Sequence, residues 1–289
     1  MVIAASVASG IASTQHLPLG ELLRERGKLT ELDIGRVVVR QRETNLKFGE
    51  AAQSMGLVSR EDVAYALARQ FEYPCARSAD SGLSPLLITA VEPFGAAAEI
   101  FRVLRGHLML TWFSERRRAL TIASARRSEG ASVIAANLAV AFAQLGERTL
   151  LIDANLRRPT QHELFGLRTS DGLSSLLMGR LQFKQALCAV DPFHSLSVLC
   201  AGVSPPNPHE LLSSVSFSWL METATAAFDV IIVDAPPLLE YPDGQIIAAR
   251  TTGCLLTTRR HATSLRDVDE AKRIIEPAAA AIVGCVINE

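Results

Sequence analysis

The sequence predicts an α/β fold, a parallel sheet with helices on both faces, preceded by a small all-α repeat module. Three observations carry that prediction. From Leu120 onward, short β-branched apolar runs alternate with helical patterns, which is how strands joined by crossover helices read. Two of those runs, 148–153 and 230–234, end in an acid, as befits strand ends where an open α/β sheet binds its ligand. Ahead of them, residues 19–41 and 48–70 align without a gap at a spacing of 29 residues, the mark of a duplicated supersecondary unit.

Composition sets outer limits. The chain has 289 residues, of which 48% are hydrophobic and 20% charged, with a formal net charge of −1. That is room for two domains with a sizeable core. The balance excludes wholesale binding to nucleic acid or to an anionic membrane surface, and the run Arg116-Arg117-Arg118 reads as a solvated face. Five widely spaced cysteines (Cys75, Cys188, Cys200, Cys254 and Cys285) form no metal-ligand spacing and no even-numbered disulfide framework. Cys200, Cys254 and Cys285 fall in strand-like runs and read as small hydrophobes. A reducing, cytoplasmic setting follows. Residues 1–16 are expected to be a disordered leader, because the apolar start is short and lacks a basic region. The apolar stretch 133–145 carries Asn137 and Gln144 and falls short of a membrane span.

Residues 17–74 form the predicted repeat module. Each copy reads as helix, glycine stop, capped second helix. Gly27 and Gly56 stand where a helix C-cap needs positive φ. Thr30 and Ser59 are the predicted N-caps, with Asp33 and Asp62 three residues on as a weaker capping box. Apolar residues at helical spacing (Ile34, Val37, Val38; Val63, Ala66, Leu67) give each hairpin one face to bury against the other. The pattern resembles the N-terminal domain of type II secretion and pilus ATPases, some of which bind cyclic di-GMP through a repeated LG…G…Q motif. The module is expected to serve as a plain docking or packing unit, with cyclic di-GMP, the ligand that resemblance implies, as the alternative. Pro18 and Lys47 precede the LG and FG pairs where the ligand-binding versions often carry arginine. Residues 75–91, rich in Ser, Pro and Ala and without periodicity, are expected to be a linker.

The domain predicted over 92–289 begins its sheet at 119–123. The loop 124–132 follows and runs into the apolar helix 133–145. Strand, loop and helix in that order place free amides and a helix dipole toward an anion, the setting of a phosphate loop. The general pattern is GxxxxGK[ST]. Gly130 and Ser132 fit it, Ala125 stands at the first glycine, and Ala131 stands where the lysine belongs. Backbone amides and the Ser132 hydroxyl can still meet phosphate and magnesium. Asp153 and Asp234, at strand C-termini, are placed to hold hydrated Mg²⁺ or a water.

Residues 150–159 (LLIDANLRRP), 231–237 (IIVDAPP), 205–212 (PPNPHELL) and 172–177 (GLSSLL), with Glu99, Arg102 and Arg105 as an ExxRxxR helix, resemble the cytoplasmic domain of bacterial tyrosine kinases. The likeness covers residues 92–289, and a module ahead of such a domain is similar to the EpsG-type, chain-length-determining members of exopolysaccharide clusters. It implies ATP or ADP bound by Arg126, Ser128, Glu129, Gly130, Ala131, Ser132, Val133 and Arg157. It further implies Mg²⁺ on Ser132, Asp153 and Asp234, with Asp153 and Asp234 as catalytic carboxylates. Homo-oligomers would form through Glu99, Arg102 and Arg105. The implied partner is a membrane-embedded polysaccharide co-polymerase on another chain, at the inner membrane.

Three departures bear on activity. Ala131 replaces the lysine, Asn155 replaces the second acid of DxDxR, and the tyrosines (Tyr65, Tyr73, Tyr241) form no C-terminal cluster. The expectation is therefore a kinase-like regulator of exopolysaccharide chain length and export with impaired ATP use. An active tyrosine kinase, a MinD- or ParA-like ATPase and a non-catalytic adaptor are the alternatives. Arg126 sits in the register of the signature lysine of MinD-like ATPases, so Arg126 or Arg127 is a candidate for the missing charge.

Overall fold

The structure, a computed structural model, describes residues 17–76, 81–114 and 116–289; the expected leader lies outside the described residues. The chain divides into two compact units, Met1–Tyr73 and Pro74–Glu289.

In the first unit, α1 (Leu19–Glu25) and α2 (Glu31–Thr44) form one hairpin, and α3 (Phe48–Ser54) and α4 (Arg60–Gln70) the other. Thr30 and Ser59 accept amide hydrogen bonds from Asp33 and Asp62, and both boxes are closed by the aspartate side chains. Gly27 and Gly56 take φ of 68° and 69°, a region that costs an L side chain strain. The hairpins interleave, α1 against α4 and α2 against α3. Leu23, Leu29, Val37, Ala51, Ala52, Val58, Val63 and Ala66 fill the space between them.

The second unit opens with α5 (Ile88–Val91) and α6 (Ala96–Thr111). Next come β1 (Ala119–Ser124), α7 (Ala131–Gln144), β2 (Thr149–Asp153), α8 (Gln161–Leu164), α9 (Leu173–Leu177) and α10 (Phe183–Ala186). After β3 (Cys188–Ala189) and β4 (Leu196–Leu199) follow α11 (Pro208–Ser213), α12 (Val215–Ala227), β5 (Val230–Asp234) and α13 (Asp243–Thr251). The unit closes with β6 (Gly253–Arg259), α14 (Leu265–Ile275) and β7 (Ala281–Asn288). Seven strands make one sheet in the order β3-β4-β2-β5-β1-β6-β7. All neighbours are parallel except β3, which turns back on β4 as a short antiparallel edge. One face buries α5, α6 and α7; the other buries α11 to α14. Strands covered on both sides need no apolar alternation, hence the continuous runs that mark β2 and β5.

Of the stretch 75–91 expected as a linker, the described residues 81–91 are instead built into the second unit. Leu83, Leu87, Thr89, Ala90 and Val91 are buried. Asn137 Nδ2 donates to Leu86 O at 2.8 Å, and its Oδ1 accepts the Thr89 N–H at 3.0 Å. Gln144 Nε2 donates to Thr89 O at 2.8 Å and to Pro74 O at 2.9 Å. The two polar residues that interrupt the apolar helix are thus the donors and acceptor that fasten this strap, which lacks a ladder of its own.

Gly253, at the start of β6, lies flat against Trp112, whose indole N–H donates to Ala119 O at 3.0 Å. A Cβ on Gly253 would stand 2.1 Å from the ring. Overpacking of this kind costs about 1–3 kcal/mol, so Gly253→Ala is expected to lower the denaturant midpoint clearly. An unchanged midpoint would show that the ring has room to move.

Candidate functional site

Parallel strands in this order bring the C-terminal ends of β1, β2 and β5 together. Asp153 and Asp234 are in register on adjacent strands, and β1 runs on into the loop 125–130. A cavity of about 280 Å³ lies over these ends, lined by Ser128, Gly130, Ala131, Ser132, Asn155, Arg158 and Tyr241 among others.

The loop is shaped by two left-handed residues, Ser128 (φ 61°) and Gly130 (φ 89°). Ala125 is not one of them, so the missing first glycine carries no steric penalty. Glu129 is buried and acts as a strut: its carboxylate accepts the Arg126 N–H at 3.0 Å and the Thr263 hydroxyl at 2.6 Å. Gly130 caps α7, so the unpaired amides of a fourteen-residue helix face the cavity mouth.

Both aspartates are completely buried. Asp153 Oδ2 accepts the N–H groups of Thr160 and Gln161, each at 3.0 Å, and Oδ1 accepts that of Asn155 at 3.2 Å. Burial, reinforced by Asp234, nevertheless holds its carboxyl well above the usual range. Burial likewise raises Asp234 to about 6, opposed by the Gln161 amide and the Ser132 hydroxyl. Gln161 Nε2 bridges Asp234 Oδ2 at 2.7 Å and Ser132 O at 3.1 Å. Among the described residues, Asp234 Oδ1 has no hydrogen-bond partner. An orphaned, fully buried carboxylate oxygen beside a serine hydroxyl is a hard-oxygen donor set that fits Mg²⁺.

The predicted nucleotide-binding residues separate into two groups, while Asp153 and Asp234 lie fully buried and are not among the residues lining the cavity. Ser128, Glu129, Gly130, Ala131, Ser132 and Val133 line the cavity. Arg126 and Arg157 do not: Arg126 pairs with Asp267 at 2.8 Å, and Arg157 pairs with Asp243 at 2.6 Å while lying over the Tyr241 ring at 4.6 Å. A nearby buried or partly shielded carboxylate outcompetes an open cavity for a guanidinium. Gln161, Thr160 and Tyr241 carry no sequence signal that marks them, because a lone polar residue has no periodicity to betray it, and Arg158 lies within the motif 150–159 without having been singled out. On α6, Arg102 donates to Glu99 at 2.8 Å and Arg105 donates to Ala141 O at 2.7 Å, so this motif braces α6 within the chain.

No protein-family model matches the chain. It is 37% identical over 202 residues to the tyrosine-protein kinase YwqD of Bacillus subtilis, covering 70% of this chain and 85% of that protein. It is 32% identical over 209 residues to the putative tyrosine-protein kinase CapB of Staphylococcus aureus, covering 72% and 91%. Among solved structures, the chimerical protein CapA2B2 superposes with a TM-score of 0.67 at 31% identity, over 78% of this chain and 98% of that one. Fold and site geometry define an α/β domain of the phosphate-loop type. The chain belongs to the bacterial tyrosine kinase family. Among the described residues, no helix is long and apolar enough to cross a membrane.

Proposed function

We propose that this chain is a kinase-like regulator of exopolysaccharide chain length and export, with weakened use of ATP. Its family supports the process; the observation that carries the weakened activity is Ala131. That residue lines the cavity at the first turn of α7, where the phosphate-gripping lysine would start. Mg²⁺-ATP or Mg²⁺-ADP occupies the cavity in this reading, with the loop amides of 128–133 on the phosphates. Ser132 and Asp234 would hold the metal, and Asp153 would support it. When bound, Mg²⁺ supplies charge neutralisation on the phosphoryl oxygens. Asp153 and Asp234 would meet the cation as carboxylates, and Gln161 keeps Asp234 and the loop in register.

Regulation runs through partners. The co-polymerase in the membrane is one. A second copy of the chain is the other, along α6, where Ile100, Val103 and Leu110 are 67%, 64% and 89% exposed. For the first unit the proposal is a docking role, cyclic di-GMP being the alternative. Cβ atoms on Gly20 and Gly49 would meet Phe48 at 3.0 Å and Val63 at 2.7 Å, so close helix packing accounts for both glycines without a ligand.

Calorimetry with Mg²⁺-ATP and Mg²⁺-ADP, alongside phosphotyrosine detection after incubation with Mg²⁺-ATP, tests the central reading. Binding without phosphotyrosine is the expected result. Phosphotyrosine on the purified chain would instead establish an active kinase.

A further inference from the structure

Four arginines border the phosphate loop and the turn after β2, and three of them are neutralised within the chain. Arg126 is held by Asp267 at 2.8 Å, Arg127 by Glu240 and the Tyr241 hydroxyl, and Arg157 by Asp243 at 2.6 Å. The fourth, Arg158, is exposed and lines the cavity, and among the described residues its guanidinium has neither an ion pair nor a hydrogen bond. Its backbone is nonetheless fixed. The Arg158 N–H donates to Asn155 Oδ1 at 3.2 Å, and the Asn155 N–H donates to Asp153 Oδ1 at 3.2 Å. Asn155, in the place of a second acid, thereby ties the root of Arg158 to the buried aspartate pair. An aspartate there would carry a negative charge on the cavity wall close to that guanidinium.

We propose that Arg158 supplies the cation that Ala131 lacks, gripping the terminal phosphate of a bound nucleoside di- or triphosphate. The inference rests on the reading of the cavity as a nucleotide site and names the residue that lets it work without the lysine. Arg127 also lines the cavity, but reaching a phosphate would require it to break its pair with Glu240. Arg158 breaks nothing. Its planar fork offers two parallel N–H donors to phosphate oxygens, a geometry that a lysine does not provide.

The test is calorimetric titration of Mg²⁺-ADP and Mg²⁺-ATP into the full chain and into Arg158→Ala, Arg158→Gln, Arg127→Ala and the double variant Arg158→Ala/Ala131→Lys. A charge-assisted contact of this type is worth about ten- to hundredfold in affinity. Arg158→Ala and Arg158→Gln should both lose that factor, and the double variant should regain it, since a cation entering from α7 replaces the one lost. Arg158→Gln keeps most of the stem, and near-ultraviolet circular dichroism confirms that each variant is folded. If the parent binds Mg²⁺-ADP and both Arg158 variants bind within twofold of it, the inference is overturned while the nucleotide reading stands. The same holds if Arg127→Ala alone abolishes binding. A parent chain that binds neither nucleotide overturns both.

Discussion

Ala131→Lys is expected to bind Mg²⁺-ADP about ten- to hundredfold more tightly than the parent, the worth of one charge-assisted phosphate contact. The position allows it: Ala131 is the first residue of α7 and lines a cavity of about 280 Å³. The loop around it already has the required left-handed residues, so the lysine needs no rebuilding of the backbone. The gain should be larger in the Arg158→Ala background, where no other cation competes for the same oxygens. Phosphoryl transfer is a more demanding readout, because a phosphate-site cation can be worth about 10³–10⁵ in rate. Calorimetry and nucleotide turnover on the same preparation separate the two. Unchanged affinity on adding Ala131→Lys in both the parent and the Arg158→Ala background would mean that the cavity is not a phosphate site.

The second large effect is expected at Asp234, and it has opposite signs for binding and for stability. Asp234 is fully buried next to Asp153, with a carboxyl raised to about 6 against an ordinary value of 3.8. A carboxyl raised in the folded state makes the native protein bind more protons than the unfolded chain across that window. The penalty is absent below the ordinary carboxylate value, grows as pH rises toward 6 and is complete above it. For Asp234 it amounts to about 3 kcal/mol. Asp234→Asn removes that cost and keeps an oxygen to accept the Gln161 amide, now 2.7 Å from Asp234. Without magnesium or nucleotide the variant should therefore melt several degrees higher at pH 7, by roughly 6–12 °C at about 2–4 °C per kcal/mol, and the gain should shrink toward pH 4. Mg²⁺-dependent nucleotide binding should fall by at least about tenfold, because the metal loses a charged ligand. In the parent, that binding should release protons and weaken as pH drops through 6. A variant that is less stable at pH 7 would show that the carboxylate serves the fold rather than a cation.

Much of this molecule was legible from local rules. The capping boxes at Thr30 and Ser59, the glycine stops at Gly27 and Gly56 and the strands ending in Asp153 and Asp234 depend on residues a few positions apart. So does the loop 125–130 leading into a helix. Short-range hydrogen bonding and apolar periodicity set these features wherever the segment ends up, and they were enough to predict the parallel sheet and the aspartate pair.

What the sequence by itself could not determine is where a charge or an amide finds its partner across the fold. Residues 81–91 look like a linker because their own pattern is poor; they are a strap because Asn137 and Gln144 reach them from α7. Arg126, Arg157 and Arg158 are alike in composition and spacing. Tertiary structure alone sets Arg126 on Asp267 and Arg157 on Asp243, 141 and 86 residues away, and leaves the Arg158 guanidinium without a partner among the described residues. The reason is physical: a guanidinium goes to whichever carboxylate folding brings within reach, and that contact is non-local. Local rules thus determined the scaffold and the acids of the site, and packing decided which arginine at the cavity was left without a carboxylate among the described residues.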